Sequence, residues 1–134
     1  MSETRAHVKS LFSLTKPRVV VLLQITAMCA ILVHDLLARH ELIAIERTWY
    51  DTLFTILITI VEGTLSAGGS NAINMWYDSD IDTQMSRTKN RPIPLGHISP
   101  KVALFFGIII SVLGSSLFFL LIIASDFFFI LLLF

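Results

Sequence analysis

Polar and apolar positions fall in long blocks along this chain. No charge occurs from Val19 to Val33, and Leu36-Leu37 extends the run. Pro17 suits a first helical turn, so a helix over about 17–37 is predicted. A second run extends from Thr52 to Tyr77, interrupted only by Glu62. A third, about 101–124, follows Ser99-Pro100, a pair suited to capping and opening a helix. Each run matches the about 20 apolar residues needed to cross a bilayer. Ser125-Asp126 allows a tight turn, after which residues 127–134 are wholly apolar. That last stretch reaches only about 12 Å as a helix, against a hydrocarbon core of roughly 30 Å. The pattern therefore predicts an all-α, polytopic transmembrane bundle with three spans and a partial fourth. It also makes the chain read as truncated.

Composition supports a membrane setting. Of the 134 residues, 54% are hydrophobic and 15% charged, against roughly 25% charged in soluble domains. Disorder is excluded, and a water-soluble domain lacks the polar surface it needs. Ten basic residues balance ten acidic ones, so no general attraction to nucleic acid is indicated. A single cysteine, Cys29, leaves no internal disulfide.

The charges that remain set an orientation. Arg5, Lys9, Lys16 and Arg18 lie before or at the start of the first span, and Arg87, Lys89, Arg91 and Lys101 lie in segment 78–101. Segment 38–51 holds only two basic residues, Arg39 and Arg47. The N-terminus and segment 78–101 are expected in the cytoplasm and segment 38–51 outside, in a bacterial plasma membrane. Leu42, Ile43 and Ile45 suggest that the outer segment is a short surface turn or helix.

Candidate chemistry concentrates between Ser70 and Pro94. Asn74, Asp78 and Asp82 are spaced four apart. On one continuous helix they lie within an arc of about 80°, while Asp80 falls on the opposite face. Two carboxylates and an amide suit Mg²⁺, which takes oxygen ligands and keeps places for phosphate oxygens. Arg87, Lys89 and Arg91 follow, matched to phosphate. An Asp-rich segment beyond a span also reads as a solvated helix end. Asn74, the three cations and the proline-rich exit favour the site. Glu62, Ser66 and Ser70 continue the spacing of four into the membrane, and that polar face is expected to look into a bundle or cavity.

The residues Asn74-x-x-x-Asp78-x-x-x-Asp82, followed by Arg87-Thr88-x-x-Arg91-Pro92, resemble the first aspartate-rich motif of the UbiA-type membrane prenyltransferases. The stretch Asn74–Pro94 and Leu14–Val19 (L-T-K-P-R-V) are most similar to the protohaem IX farnesyltransferase (haem O synthase) branch. The resemblance implies a bundle of about nine helices around a cavity, of which residues 1–134 form the N-terminal part of a single domain. It implies that Asn74, Asp78 and Asp82 bind Mg²⁺ and diphosphate, with Asp78 and Asp82 catalytic. Arg87, Lys89 and Arg91 bind and neutralise the leaving group. The implied partners are farnesyl diphosphate, haem B, the bilayer and the missing C-terminal helices. The family's second aspartate-rich motif is not in this sequence, so the chain alone is expected to hold half a site and to be inactive. Two other readings stay open. One keeps the family with an aromatic or quinone-precursor acceptor, although Met75-Trp76-Tyr77 and Lys16-Pro17-Arg18 favour haem. The other is a non-catalytic membrane remnant or partner.

Residues outside the motif read more plainly. Glu62 is a proton or cation ligand, a carboxyl held neutral in a bundle or a tolerated substitution, the neutral structural reading being preferred. His7, His34, His40 and His97 read as interface or loop residues, and Cys29 as a small core residue. Gly107, Ser111 and Ser115 form a helix-packing stripe.

Overall fold

The computed structural model describes residues 2–40 and 48–132. Five helices follow in order: α1 (Ser2–Leu14), α2 (Pro17–Arg39), α3 (Trp49–Tyr77), the single turn α4 (Ser79–Asp82) and α5 (Pro100–Leu132). Among the described residues all regular structure is helical. The outer segment around Leu42, Ile43 and Ile45 lies outside the described residues, as do Arg47 and residues 133–134.

Local chemistry sets the helix ends. Proline opens α2, where the Lys16 carbonyl accepts from the N–H groups of Val19 and Val20 at 2.9 and 3.2 Å. Thr48 caps α3 reciprocally: its hydroxyl accepts from Asp51 N–H, and the Asp51 carboxylate accepts from Thr48 N–H at 2.8 Å. Ser99 caps α5 by accepting from Val102 N–H at 3.3 Å, with Pro100 at the first helical position. Three helices, Pro17–Ala38, Trp49–Tyr77 and Pro100–Leu121, are long and apolar enough to cross a membrane. The chain is an integral membrane protein.

Two expectations need correction. No turn forms at Ser125-Asp126, and α5 runs unbroken to Leu132. Neither residue is Pro or Gly, and both cost a helix interior well under about 1 kcal/mol. Residues 127–132 therefore prolong the third long helix and do not begin a fourth. The 2–14 segment, noted in the sequence only for its basic residues, is a helix. Its Leu14 is fully buried in a cluster with Ala72, Met75, Ile93, Ile98 and Ala103, and Leu11 packs against it. Full burial of one leucine contributes about 1.5–3 kcal/mol. This cluster places α1 and the 83–99 segment at the same end of the long helices.

The central helix is α3. Against α2, Gln24 Nε2 donates to Ile60 O and Thr64 Oγ1 at 3.2 and 3.3 Å, in space left by the missing side chain of Gly63. Such interhelical polar contacts hold helices together where hydrophobic burial cannot, because lipid is equally apolar. Against α5, backbone meets backbone: a Cβ on Gly69 would lie 2.7 Å from Gly107 O. The small-residue stripe on α5 runs Gly107, Ser111, Gly114, and a Cβ on Gly114 would lie 2.8 Å from Ser66 N. Ser115, expected in that stripe, is exposed. A step of four drifts about 40° around a helix and a step of seven about 20° the other way, which brings Gly114 back to the seam.

Candidate functional site

Between its contacts with α2 and α5, α3 presents a third face. Glu62, Ser66 and Ser70 on that face line a groove of about 400 Å³ with Leu23, Gln24 and Ala27 of α2. The polar stripe therefore does look into a groove. One turn beyond Ser70 stands Asn74, in the last turn of α3.

The helix then changes character. Asp78 is the C-cap of α3, with φ −81° and ψ 0°, and α4 starts at Ser79. The expected single continuous helix through Asp82 is interrupted there. The register survives, because Asp78 N–H donates to Asn74 O at 3.0 Å and Asp82 N–H to Asp78 O at 2.9 Å. Asn74 is exposed, Asp78 half-buried, Asp80 exposed and Asp82 buried.

A buried carboxylate needs a partner, because desolvating an unpaired charge is costly. For Asp82 that partner is Arg91, whose Nη1 donates to Oδ1 at 2.8 Å and to Oδ2 at 2.5 Å. The chain returns to make this pair by winding tightly. Thr88 Oγ1 donates to Asp82 O at 3.2 Å, and Arg91 N–H to Thr88 O at 2.9 Å. Beyond Pro92, His97 N–H donates to Pro92 O at 2.9 Å across a turn in which Gly96 takes φ +71°. Ile93 and Ile98 anchor that turn in the core cluster. Arg87 and Lys89 are exposed on the same loop.

Lys16 was singled out in the sequence for its charge and its motif, outside the Asn/Asp stripe. It sits half-buried between α1 and α2. Burial and then the Arg91 guanidinium lower its pKa below the usual lysine value, Asp78 and Asp82 oppose that shift, and Arg87 adds to it. The turn at Lys16 thus belongs to the same electrostatic neighbourhood as the two motif carboxylates. A larger depression of about 790 Å³ lies between α1 and the loop, lined by His7, Lys9, Asn90 and His97 among others, and none of Asn74, Asp78 or Asp82 lines it.

The site thus joins two kinds of group. Asn74 and Asp78 offer oxygen donors of the kind a hard cation takes. Asp82, expected as a third cation ligand, is engaged by Arg91. Among the described residues no group of three His, Cys, Asp or Glu side chains is gathered as a metal site. Two protein oxygens still fit Mg²⁺, which is commonly held by one or two carboxylates together with substrate phosphates.

Comparison with known proteins identifies relatives of the chain. The chain is 38% identical over 109 residues to the protoheme IX farnesyltransferase of Bartonella tribocorum, covering 81% of this chain and 31% of that protein. It is 41% identical over 106 residues to the protein of that name in Symbiobacterium thermophilum, covering 79% and 32%. With that of Rhizobium johnstonii it shares 42% identity over 108 residues, covering 81% and 30%. The matched part is thus about a third of each relative's length. No solved structure matches. Residues 36–134 match the UbiA prenyltransferase family, and the chain belongs to that family.

Proposed function

We propose that this chain supplies the diphosphate-binding part of an enzyme that transfers a farnesyl group from farnesyl diphosphate to a vinyl group of haem B, giving haem O. The observation that carries the reading is the end of α3, where Asn74 and Asp78 continue the polar spacing beyond the groove and the buried Asp82 carboxylate holds the Arg91 guanidinium. The names of the relatives support the choice of substrates.

In this reading the C1–O bond of farnesyl diphosphate breaks and its electron pair leaves on the diphosphate. The vinyl group takes up the allylic cation, and water completes the hydroxyethylfarnesyl side chain with loss of a proton. Asn74 and Asp78 would hold Mg²⁺, which when bound supplies positive charge to the leaving diphosphate. Arg91 and Arg87 add guanidinium donors for the same oxygens. An arriving diphosphate offers Arg91 a second anion, and the pair with Asp82 is then shared or exchanged. The groove lined by α2 and α3 is the start of a cavity that keeps water from the cation. Further helices, with a facing aspartate-rich motif, complete it. The protein spans a bacterial plasma membrane with its N-terminus and segment 78–101 in the cytoplasm, as the basic residues favour.

The test joins residues 1–134 to the remaining helices of the Bartonella relative, in a strain lacking its own haem O synthase. Haem extraction and chromatography are expected to show haem O. Asp78→Ala is expected to abolish it, and Asp80→Ala to leave most of it. Equal losses at the two positions would contradict the reading.

A further inference from the structure

We propose that α1 and the adjoining side of α2 form a binding site for an anionic phospholipid, with the headgroup phosphate on Arg5 and Lys9 and one acyl chain in the apolar groove beyond them.

The headgroup end is built on the side of α1 that the core leaves free. Leu11 and Leu14 turn to the core cluster, but Val8 and Phe12 stay 61% and 62% exposed. These two are four apart and share one stripe of the helix; Arg5 and Lys9, also four apart, run beside it. The four residues line one depression of about 410 Å³. Among the described residues neither cation has a carboxylate partner. Like charges one turn apart repel, and an anion seated between them turns that repulsion into attraction.

Phe12 also heads a second hollow. A groove of about 380 Å³ runs from it between α2 and α3, past Val21, Ile25, Met28 and Ile60. It lies across the α2–α3 seam from the polar groove of Glu62, Ser66 and Ser70. Gln24, whose amide holds the seam, borders both. A basic depression and an apolar groove thus meet at one shared aromatic side chain, as an amphiphile with an anionic head requires.

Three observations choose a phospholipid as the occupant. Only Thr15 and Lys16 separate the end of α1 from the spanning helix that opens at Pro17, so α1 is held at the level of lipid headgroups. From Pro17 to Met28 a helix rises about 16 Å, the depth of one leaflet of a hydrocarbon core roughly 30 Å thick. Basic side chains beside a span attract anionic headgroups, whereas a phosphocholine brings a cation along with its phosphate and gains less.

The test is native mass spectrometry of the chain in detergent micelles, with phosphatidylglycerol or phosphatidylcholine of the same acyl chains. Phosphatidylglycerol is expected to bind about tenfold more tightly. The double variant Arg5→Gln, Lys9→Gln is expected to bind the two lipids equally, and the charge-keeping pair Arg5→Lys, Lys9→Arg to retain the preference. A photoreactive group midway along the phosphatidylglycerol acyl chain locates the tail, with adducts expected between Val20 and Met28 or at Ile60. Equal binding of the two lipids by the parent chain, a preference that survives the glutamine pair, or adducts spread evenly over α2 and α5 would overturn the proposal. Displacement of phosphatidylglycerol by equimolar farnesyl diphosphate would do the same, because the groove would then hold a prenyl substrate. The preference is expected to persist when the remaining helices of the Bartonella relative are joined to the chain, and its loss there would mean that a helix fills the groove instead. Pyrophosphate affinity is expected to be unchanged by the glutamine pair, so this proposal and the diphosphate reading fail separately.

Discussion

The α2–α3 pair buries one carboxylate at each end, and the two are handled differently. Asp35, near the end of α2, and Asp82, just past the end of α3, are each 3% exposed. Asp35 accepts from the Thr52 hydroxyl on the facing helix and lies 3.3 Å from His34 Nδ1. Asp82 takes a guanidinium from a residue nine positions along a wound loop. Equal burial thus serves two ends. At the Asp35 end a hydroxyl staples two spans together. At the Asp82 end a guanidinium carried by the following loop neutralises the carboxylate.

The sharpest contrast between the ends is the compartment each faces. In a Cys29→Ser background, an impermeant thiol reagent added to intact cells is expected to label Thr48→Cys and not Ser99→Cys. Labelling at 99 alone would reverse the orientation.

A smaller contrast lies in stability, read as thermal unfolding in micelles. Arg91→Ala leaves Asp82 buried without its guanidinium, and a loss of about 2–4 kcal/mol is expected, below the upper range because Arg91 is partly exposed. Thr52→Val removes one hydroxyl donor from Asp35 at constant shape and is expected to cost about 1–2 kcal/mol. Thr52→Val should leave pyrophosphate affinity unchanged, while Arg91→Ala should lower it. A larger stability loss from Thr52→Val, or an equal effect of both on affinity, would erase the distinction between the ends.

Some of this was legible in the sequence and some was not, for identifiable reasons. Uncharged runs announce spans, because the bilayer admits few other compositions, and Pro17 and Ser99-Pro100 marked two helix starts correctly. The helix α1 escaped notice because its apolar residues Val8, Leu11, Phe12 and Leu14 are diluted by charge and only Leu11 and Leu14 pack against the core cluster. Ser125-Asp126 looked like a turn, yet residues that merely tolerate turns do not end a helix. Spacing by four located Asn74, Asp78 and Asp82 but not the change at Asp78. Nor did it show that Arg91 would pair with Asp82, since that depends on how the intervening loop winds. Asp35 and Thr52 gave no signal at all, because their meeting depends on how two separate helices align. Lys16 stood out as part of a motif, while its left-handed backbone at the turn between α1 and α2 is a conformation that residue type does not announce.

The central claim is that this end of the chain binds a diphosphate through the face carrying Asn74 and Asp78. Calorimetric titration of inorganic pyrophosphate in the presence of Mg²⁺, with the chain in micelles, tests it most directly. Asp78→Asn is expected to weaken binding about tenfold or more, a loss of at least about 1.4 kcal/mol, while Asp80→Asn stays within about twofold of the parent. Equal weakening by the two substitutions, or no Mg²⁺-dependent binding by the parent chain, would contradict it.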